Sequence, residues 1–102
     1  MIHVIATIEI ADGQRVAFLE MFRNIVSAVR EEQGCIDYGP ALDCDTDIEK
    51  QTLKGTNVVT VVEKWESLEA LKAHLGATHM AEYREQVKDL VLGMTLHILE
   101  PA

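Results

Sequence analysis

Along this chain a two-residue alternation of apolar and polar positions repeatedly gives way to a helical period of about 3.6, and the switches lay out the elements. Ile2-His3-Val4-Ile5-Ala6-Thr7-Ile8-Glu9-Ile10 is rich in β-branched residues and alternates, so it reads as a strand. Asp12-Gly13 breaks it and offers a cap for the next element. From Gln14 to about Gln33, Phe18, Leu19, Phe22, Ile25, Val26 and Val29 gather on one helical face, with Glu20, Asn24, Ser27 and Glu31 opposite. Gly34 stands where a left-handed helix terminus is expected. A second strand spans Cys35 to Leu42, with Gly39-Pro40 as a bend or bulge. Proline cannot donate to a ladder, so this strand belongs at an edge. Residues 43–57 are polar and read as a loop, with closure over a site one role open to it. Val58 to Trp65 is a third strand. Ser67 caps a short helix from Leu68 to Leu75, with Glu69 in its first turn. Gly76 interrupts, Thr78 can cap again, and His79 to Leu90 continues as a helix burying Met80, Tyr83, Val87 and Leu90. Leu92 to Leu99 alternates and forms the last strand.

The order β-α-β-β-α-β, with its second helix broken near Gly76, predicts a single α+β domain over residues 1–102. Its expected form is the ferredoxin-like arrangement with a four-stranded antiparallel sheet. Both helices then cover one face of the sheet. Val58 and Val62 alternate with Val59 and Val61, and Ile5 with Val4 and Ala6, so the uncovered face is apolar too. No helix is left to cover it. The simplest answer is a homodimer with two sheets packed face to face.

Composition narrows the function. A formal net charge of −8 speaks against a nucleic-acid partner, which needs clustered Lys and Arg. No apolar stretch reaches membrane-spanning length and no basic leader precedes the first strand, so a cytoplasmic protein is expected, away from any membrane. Cys35 and Cys44 have no CxxC spacing and suit a reducing compartment. Zinc would need a third ligand beside His74 and His79, and no glycine-rich phosphate loop or nucleotide fingerprint is present, so neither metal nor organic cofactor is expected.

Titratable and aromatic groups concentrate in Glu63-Lys64-Trp65-Glu66-Ser67, His74 and Thr78-His79. Glu63 and Trp65, two apart on a strand, share a face. His74 and His79 flank the helix break at the border of core and solvent, where a pocket mouth is expected. An imidazole there can exchange a proton near neutral pH, and Glu63 is the carboxylate expected to orient it. Tyr38 can add a phenolic donor. Each has a plain structural role open to it as well: Trp65 in the core or an interface, Tyr38 and Tyr83 as packing, the histidines as boundary residues.

Two segments resemble the antibiotic biosynthesis monooxygenase family of dimeric α+β barrels. Glu32-Gln33-Gly34-Cys35-Ile36-Asp37-Tyr38 is similar to its E-x-G-C-x-x-Y, and Glu63-Lys64-Trp65-Glu66-Ser67 with His74 and Thr78-His79 to its E-x-W-x-S…H…T-x-H. The resemblance implies cofactor-independent oxygenation by O2 of a small aromatic such as a quinol or polyketide phenol. His79 or His74 would be the base and Glu63 its orienting group, with Trp65, Tyr38 and Tyr83 against the substrate. The same resemblance brings a proton-transfer isomerase of a small hydroxyketone as an alternative. A third reading is a non-catalytic dimer that binds a hydrophobic ligand.

Overall fold

A computed structural model describes all 102 residues. The chain runs β1 (Ile2–Ile10), α1 (Arg15–Arg30), β2 (Cys35–Ala41), β3 (Val58–Trp65), α2 (Leu68–Leu75), α3 (Thr78–Val87) and β4 (Val91–Leu99). The four strands form one antiparallel sheet in the order β2-β3-β1-β4, the ferredoxin-like α+β topology.

Register explains the two faces. Val4, Ala6 and Ile8 of β1 stand opposite Glu63, Val61 and Val59 of β3, and directly opposed residues share a face. All six are buried, together with Ile10, Trp65 and Tyr38, beneath Phe18, Leu19, Phe22, Ile25 and Val29 of α1 and Met80, Tyr83 and Val87 of α3. On the other face Ile5 pairs with Val62 and Thr7 with Thr60, and no helix covers them. β4 shares the helix face through Met94, Leu96 and Ile98, yet these remain exposed because the helices stop short of that edge.

Local details depart from the sequence pattern in instructive places. α1 ends at Arg30 rather than near Gln33, because Glu32 N–H bonds the Val29 carbonyl at 3.0 Å and Cys35 N–H the Glu32 carbonyl at 3.1 Å, which tightens and turns the chain. Asp12 does not cap α1; Gln14 is the boundary residue, and Asp12 Oδ1 instead accepts from the Asn57 side chain at 3.1 Å. Ser67 caps α2 as expected, its Oγ accepting from Ala70 N–H at 3.1 Å. Thr78 is the first residue of α3 and not its cap, since Ala77 takes the extended boundary position. α3 stops at Val87 because Leu90 N–H closes a turn onto the Val87 carbonyl at 2.8 Å, which lets the chain enter β4. β2 is an edge strand, but its register runs straight through Gly39-Pro40. The irregularity lies between Cys35 and Asp37 instead. Pro40 sits on an edge strand, where a proline can turn its donor-free nitrogen away from the ladder.

Gly34 holds the junction on which the site is built. Its φ of +86° favours glycine, and a Cβ there would lie 2.5 Å from the Ala70 Cβ of α2. Its carbonyl accepts from Glu66 N–H at 2.8 Å, so the end of α1 and the start of α2 are drawn together. Gly34→Ala combines left-handed strain with that overlap and should cost about 2 kcal/mol. A fall in Tm of roughly 8–15 °C is expected for a domain of this size. A melt by circular dichroism checks it, and a change under 3 °C, on the order of half a kcal/mol, would show that α2 moves aside freely.

Candidate active site

The close approach of α1 and α2 at Gly34 brings Glu32 against the two histidines. Glu32 Oε2 accepts from His74 Nδ1–H at 2.9 Å and from His79 Nε2–H at 2.8 Å. A carboxylate only accepts, so this contact places a proton on each of those ring nitrogens. Glu32 is the residue of the candidate site that periodicity missed. It lies 42 residues before His74, and only its place in the E-x-G-C-x-x-Y segment marked it. The expected orienting role of Glu63 is corrected accordingly. Glu63 Oε1 accepts the Trp65 indole N–H at 2.9 Å and stands 4.0 Å from His74 Nε2, too far for a hydrogen bond.

His74 is 2% exposed and packs between two aromatic rings, with Trp65 at 4.6 Å between centroids and Tyr38 edge-on at 5.4 Å. His79 is 32% exposed by its side chain and sits on the outer side of Glu32. The two histidines are therefore not equivalent.

A cavity of about 210 Å³ opens between the helix face of the sheet and the α2–α3 corner. Its inner polar wall is Glu63, His74, Tyr38 and Tyr83, set among apolar groups that include Phe22, Val61, Met80 and Leu96. No enclosed side-chain nitrogen or oxygen in the protein lacks a hydrogen-bond partner. The Tyr38 and Tyr83 hydroxyls and His74 Nε2 have none, so they face the open interior of the cavity they line. Trp65 is fully buried and His79 is outside the wall, so neither touches the cavity. Trp65 instead supports the wall from behind, through its tilted ring contact with His74 and its bond to Glu63. None of residues 43–57 lines the cavity. That loop is tied down elsewhere, with Asp43 accepting from the Lys54 and Gly55 N–H groups, which hold its carboxyl below the usual carboxylate range.

Burial sets the charge states. Desolvation pushes the Glu63 carboxyl up to about 7, helped by the nearby Glu32 charge and opposed by the Trp65 hydrogen bond. Desolvation lowers the His74 pKa, against the pull of its bond to Glu32. Burial also raises the Tyr38 and Tyr83 phenols above the ordinary tyrosine range, so both stay neutral donors. The wall thus offers a neutral imidazole with a bare Nε2, a carboxyl that is about half protonated at pH 7, and two phenolic hydroxyls. It can take a proton from one substrate atom and return one to another.

A ferredoxin-like sheet with an apolar cavity whose buried polar wall is an imidazole, a carboxyl and two phenols defines a class of small α+β proteins equipped for acid–base work on an apolar substrate. Comparison with known proteins makes the class specific. The family model described as antibiotic biosynthesis monooxygenase matches residues 1–86, and the chain belongs to that family. The chain is 42% identical to the protein named Probable quinol monooxygenase YgiN of Escherichia coli (strain K12), over 99% of this chain and 98% of that one. Its fold is similar to that of PA3566 from Pseudomonas aeruginosa (TM-score 0.82, 23% identity, 99% and 93% of the two chains). Rv0793 from Mycobacterium tuberculosis is similar as well (TM-score 0.80, 24% identity, 99% and 94%).

The Glu63 carboxyl gives a pH signature. Its folded-state pKa of about 7 lies above the ordinary 4.5, so its favourable contribution is complete below pH 4.5 and is lost as the pH rises through about 7. Glu63→Gln keeps an oxygen for the Trp65 indole and cannot ionise. Between pH 5 and pH 8 the variant should gain about 2–3 kcal/mol of unfolding free energy relative to the parent. Because His74 titrates in both proteins, the comparison isolates Glu63. Urea unfolding at the two pH values measures it, and an identical difference at both would mean that Glu63 ionises normally.

Proposed function

We propose that this protein is a cofactor-independent monooxygenase that inserts one atom of O2 into a small quinol. One observation carries the reading: His74, its tautomer held by Glu32, turns a bare Nε2 into an apolar cavity, 4.0 Å from a Glu63 carboxyl whose pKa burial raises to about 7. The cavity, at about 210 Å³, exceeds the ~150 Å³ that holds a benzene ring in an engineered core, so a one- or two-ring aromatic suits it. The relative named as a quinol monooxygenase supports the same substrate class.

His74 Nε2 takes the phenolic proton, and the quinolate passes an electron to O2. The resulting semiquinone and superoxide join through a ring C–O bond, and the peroxide takes back the proton held by His74. Loss of the ring hydrogen as the O–O bond breaks then releases water. Quinol and O2 become hydroxyquinone and water, with all four electrons supplied by the quinol. The protonated Glu63 and the tyrosine hydroxyls would hold the quinol oxygens by hydrogen bonds. Dry walls keep the radical pair from solvent. The proximity of Glu63 to His74 also favours a second reading, an isomerase that moves a proton along a hydroxyketone. We further infer a homodimer, supported by the uncovered Ile5, Val58 and Val62, and a reducing cytoplasmic setting, supported by the unpaired Cys35 and Cys44.

O2 uptake with 1,4-dihydroxynaphthalene tests the oxygenase. His74→Ala should lower the enzyme-dependent rate by about 100-fold or more, the usual range for loss of a general base. His79→Ala, which leaves the His74–Glu32 bond in place, should cost less than about tenfold. Equal losses, or a larger one for His79→Ala, would transfer the base role to His79. Turnover of a hydroxyketone without O2 uptake would favour the isomerase. Sedimentation at micromolar concentration should give a dimer mass, and a monomer would remove the face-to-face pairing.

A further inference from the structure

The inner end of the cavity holds no permanently charged group, but its mouth does. Arg84 and Lys88, one helical turn apart at the end of α3, both line the cavity and are both exposed, whereas Glu63, His74 and Tyr38 at its inner end are buried. They are the only cations on the wall, in a chain whose formal charge is −8. The single carboxyl on the wall, Glu63, lies at the inner end; of the two cations only Lys88 has an acidic partner, the exposed Glu85 beside the mouth.

Arg84 is held in place and still has donors to spare. One guanidinium nitrogen donates to the Leu75 carbonyl at 2.6 Å, at the C-terminus of α2, which leaves most of the five N–H groups of the fork unspoken for. Lys88 Nζ pairs with Glu85 at 2.5 Å, but both side chains are well exposed, at 60% and 72%. Such an exposed pair is worth little and exchanges readily for a better anion. The cavity is therefore polarised along its length: titratable groups at the buried end, and at the exposed rim two cations beside the apolar Leu75, Met94 and Leu96.

We propose that the substrate is an acidic aromatic, a quinol that carries a carboxylate on the side of the ring system remote from the reacting hydroxyl, and that Arg84 and Lys88 bind this carboxylate at the mouth. This rests on the quinol reading of the inner wall and adds to it the class of substituent and the orientation of the ring. A carboxylate suits the planar Arg84 fork, with Lys88 as a second point charge, and at the mouth it keeps most of its hydration. Buried at the inner end, the same carboxylate would face desolvation and the Glu63 carboxyl, so the charge pattern also fixes which end of the substrate enters first.

Binding can be tested without turnover. 6-Hydroxy-2-naphthoate places hydroxyl and carboxylate at opposite ends of two fused rings, and its methyl ester has nearly the same shape without the charge. By calorimetry at low ionic strength the acid should bind about tenfold more tightly than the ester, and 0.5 M salt should erase most of that preference. In the Arg84→Gln/Lys88→Gln protein the preference should vanish while the ester's affinity changes less than about threefold, which also shows that the cavity is intact. An ester that binds as well as the acid, a preference that survives the double substitution, or no binding of either compound overturns the proposal. If the acid binds as expected but 1,4-dihydroxynaphthalene bearing a 6-carboxylate gives no enzyme-dependent O2 uptake, the charged subsite stands and the oxygenase reading falls.

Discussion

The site depends on a single carboxylate oxygen. Glu32 Oε2 receives an N–H from His74 and another from His79, and so joins the end of α1, the last turn of α2 and the first turn of α3 at one point. Hydrogen bonds to a charged acceptor are about twice as strong as neutral ones, and at a half-buried position they are little screened. The contact does three things together. It satisfies a buried imidazole that would otherwise cost the core a polar group, it selects the His74 tautomer with its proton on Nδ1, and it leaves Nε2 without a proton and open to the cavity.

The break at Gly76 is what makes this geometry available. In an uninterrupted helix residues 74 and 79, five positions apart, would point about 140° away from each other and could not meet on one oxygen. With α2 ended at Leu75 and α3 begun at Thr78, the axis changes direction between the histidines and both reach Glu32. Gly34 supplies the complementary freedom on the other side, because only a residue without a Cβ lets α2 approach the end of α1 so closely. The local features that look like helix defects in the sequence are thus the hinges that assemble the site. The aromatic core continues into it without a boundary: Phe22 stacks on Tyr38 at 5.6 Å and meets Tyr83 edge-on at 5.7 Å, and all three also line the cavity.

The topology was legible in the sequence because strand alternation, the Ser67 cap, the Pro40 edge signal and the Gly76 break each act over a few residues. The same locality explains what was misread. The two-residue spacing of Glu63 and Trp65 does put them on one face, but the shortest partner for an indole on that face is its own neighbour, so Glu63 bonds Trp65 and not a histidine. The carboxylate that holds His74 comes from another element through a tertiary contact that no period reveals. The border position inferred for both histidines fits His79 and fails for His74, since Trp65 at the end of the preceding strand and Tyr38 from the more distant β2 close over the latter.

What distinguishes the inner wall is the direction in which burial moves two neighbouring groups. In water a glutamate is the stronger acid of a Glu–His couple, so near neutral pH it has given up its proton. In this cavity desolvation raises Glu63 to about 7 and lowers His74 below its ordinary 6.5, so the usual order is reversed. With 4.0 Å between Glu63 Oε1 and His74 Nε2, an ion pair would bring two charges into an apolar wall without a hydrogen bond between them to repay their desolvation. The neutral couple avoids that cost, and it is the form in which the imidazole can accept a proton and the carboxyl can give one. Trp65 sharpens the arrangement, because its N–H occupies Glu63 Oε1 and its ring fills the space behind His74 from which water could otherwise solvate the charged forms. Dryness therefore sets the protonation of the pair: it favours a neutral imidazole beside a neutral carboxyl over the ion pair that water would stabilise.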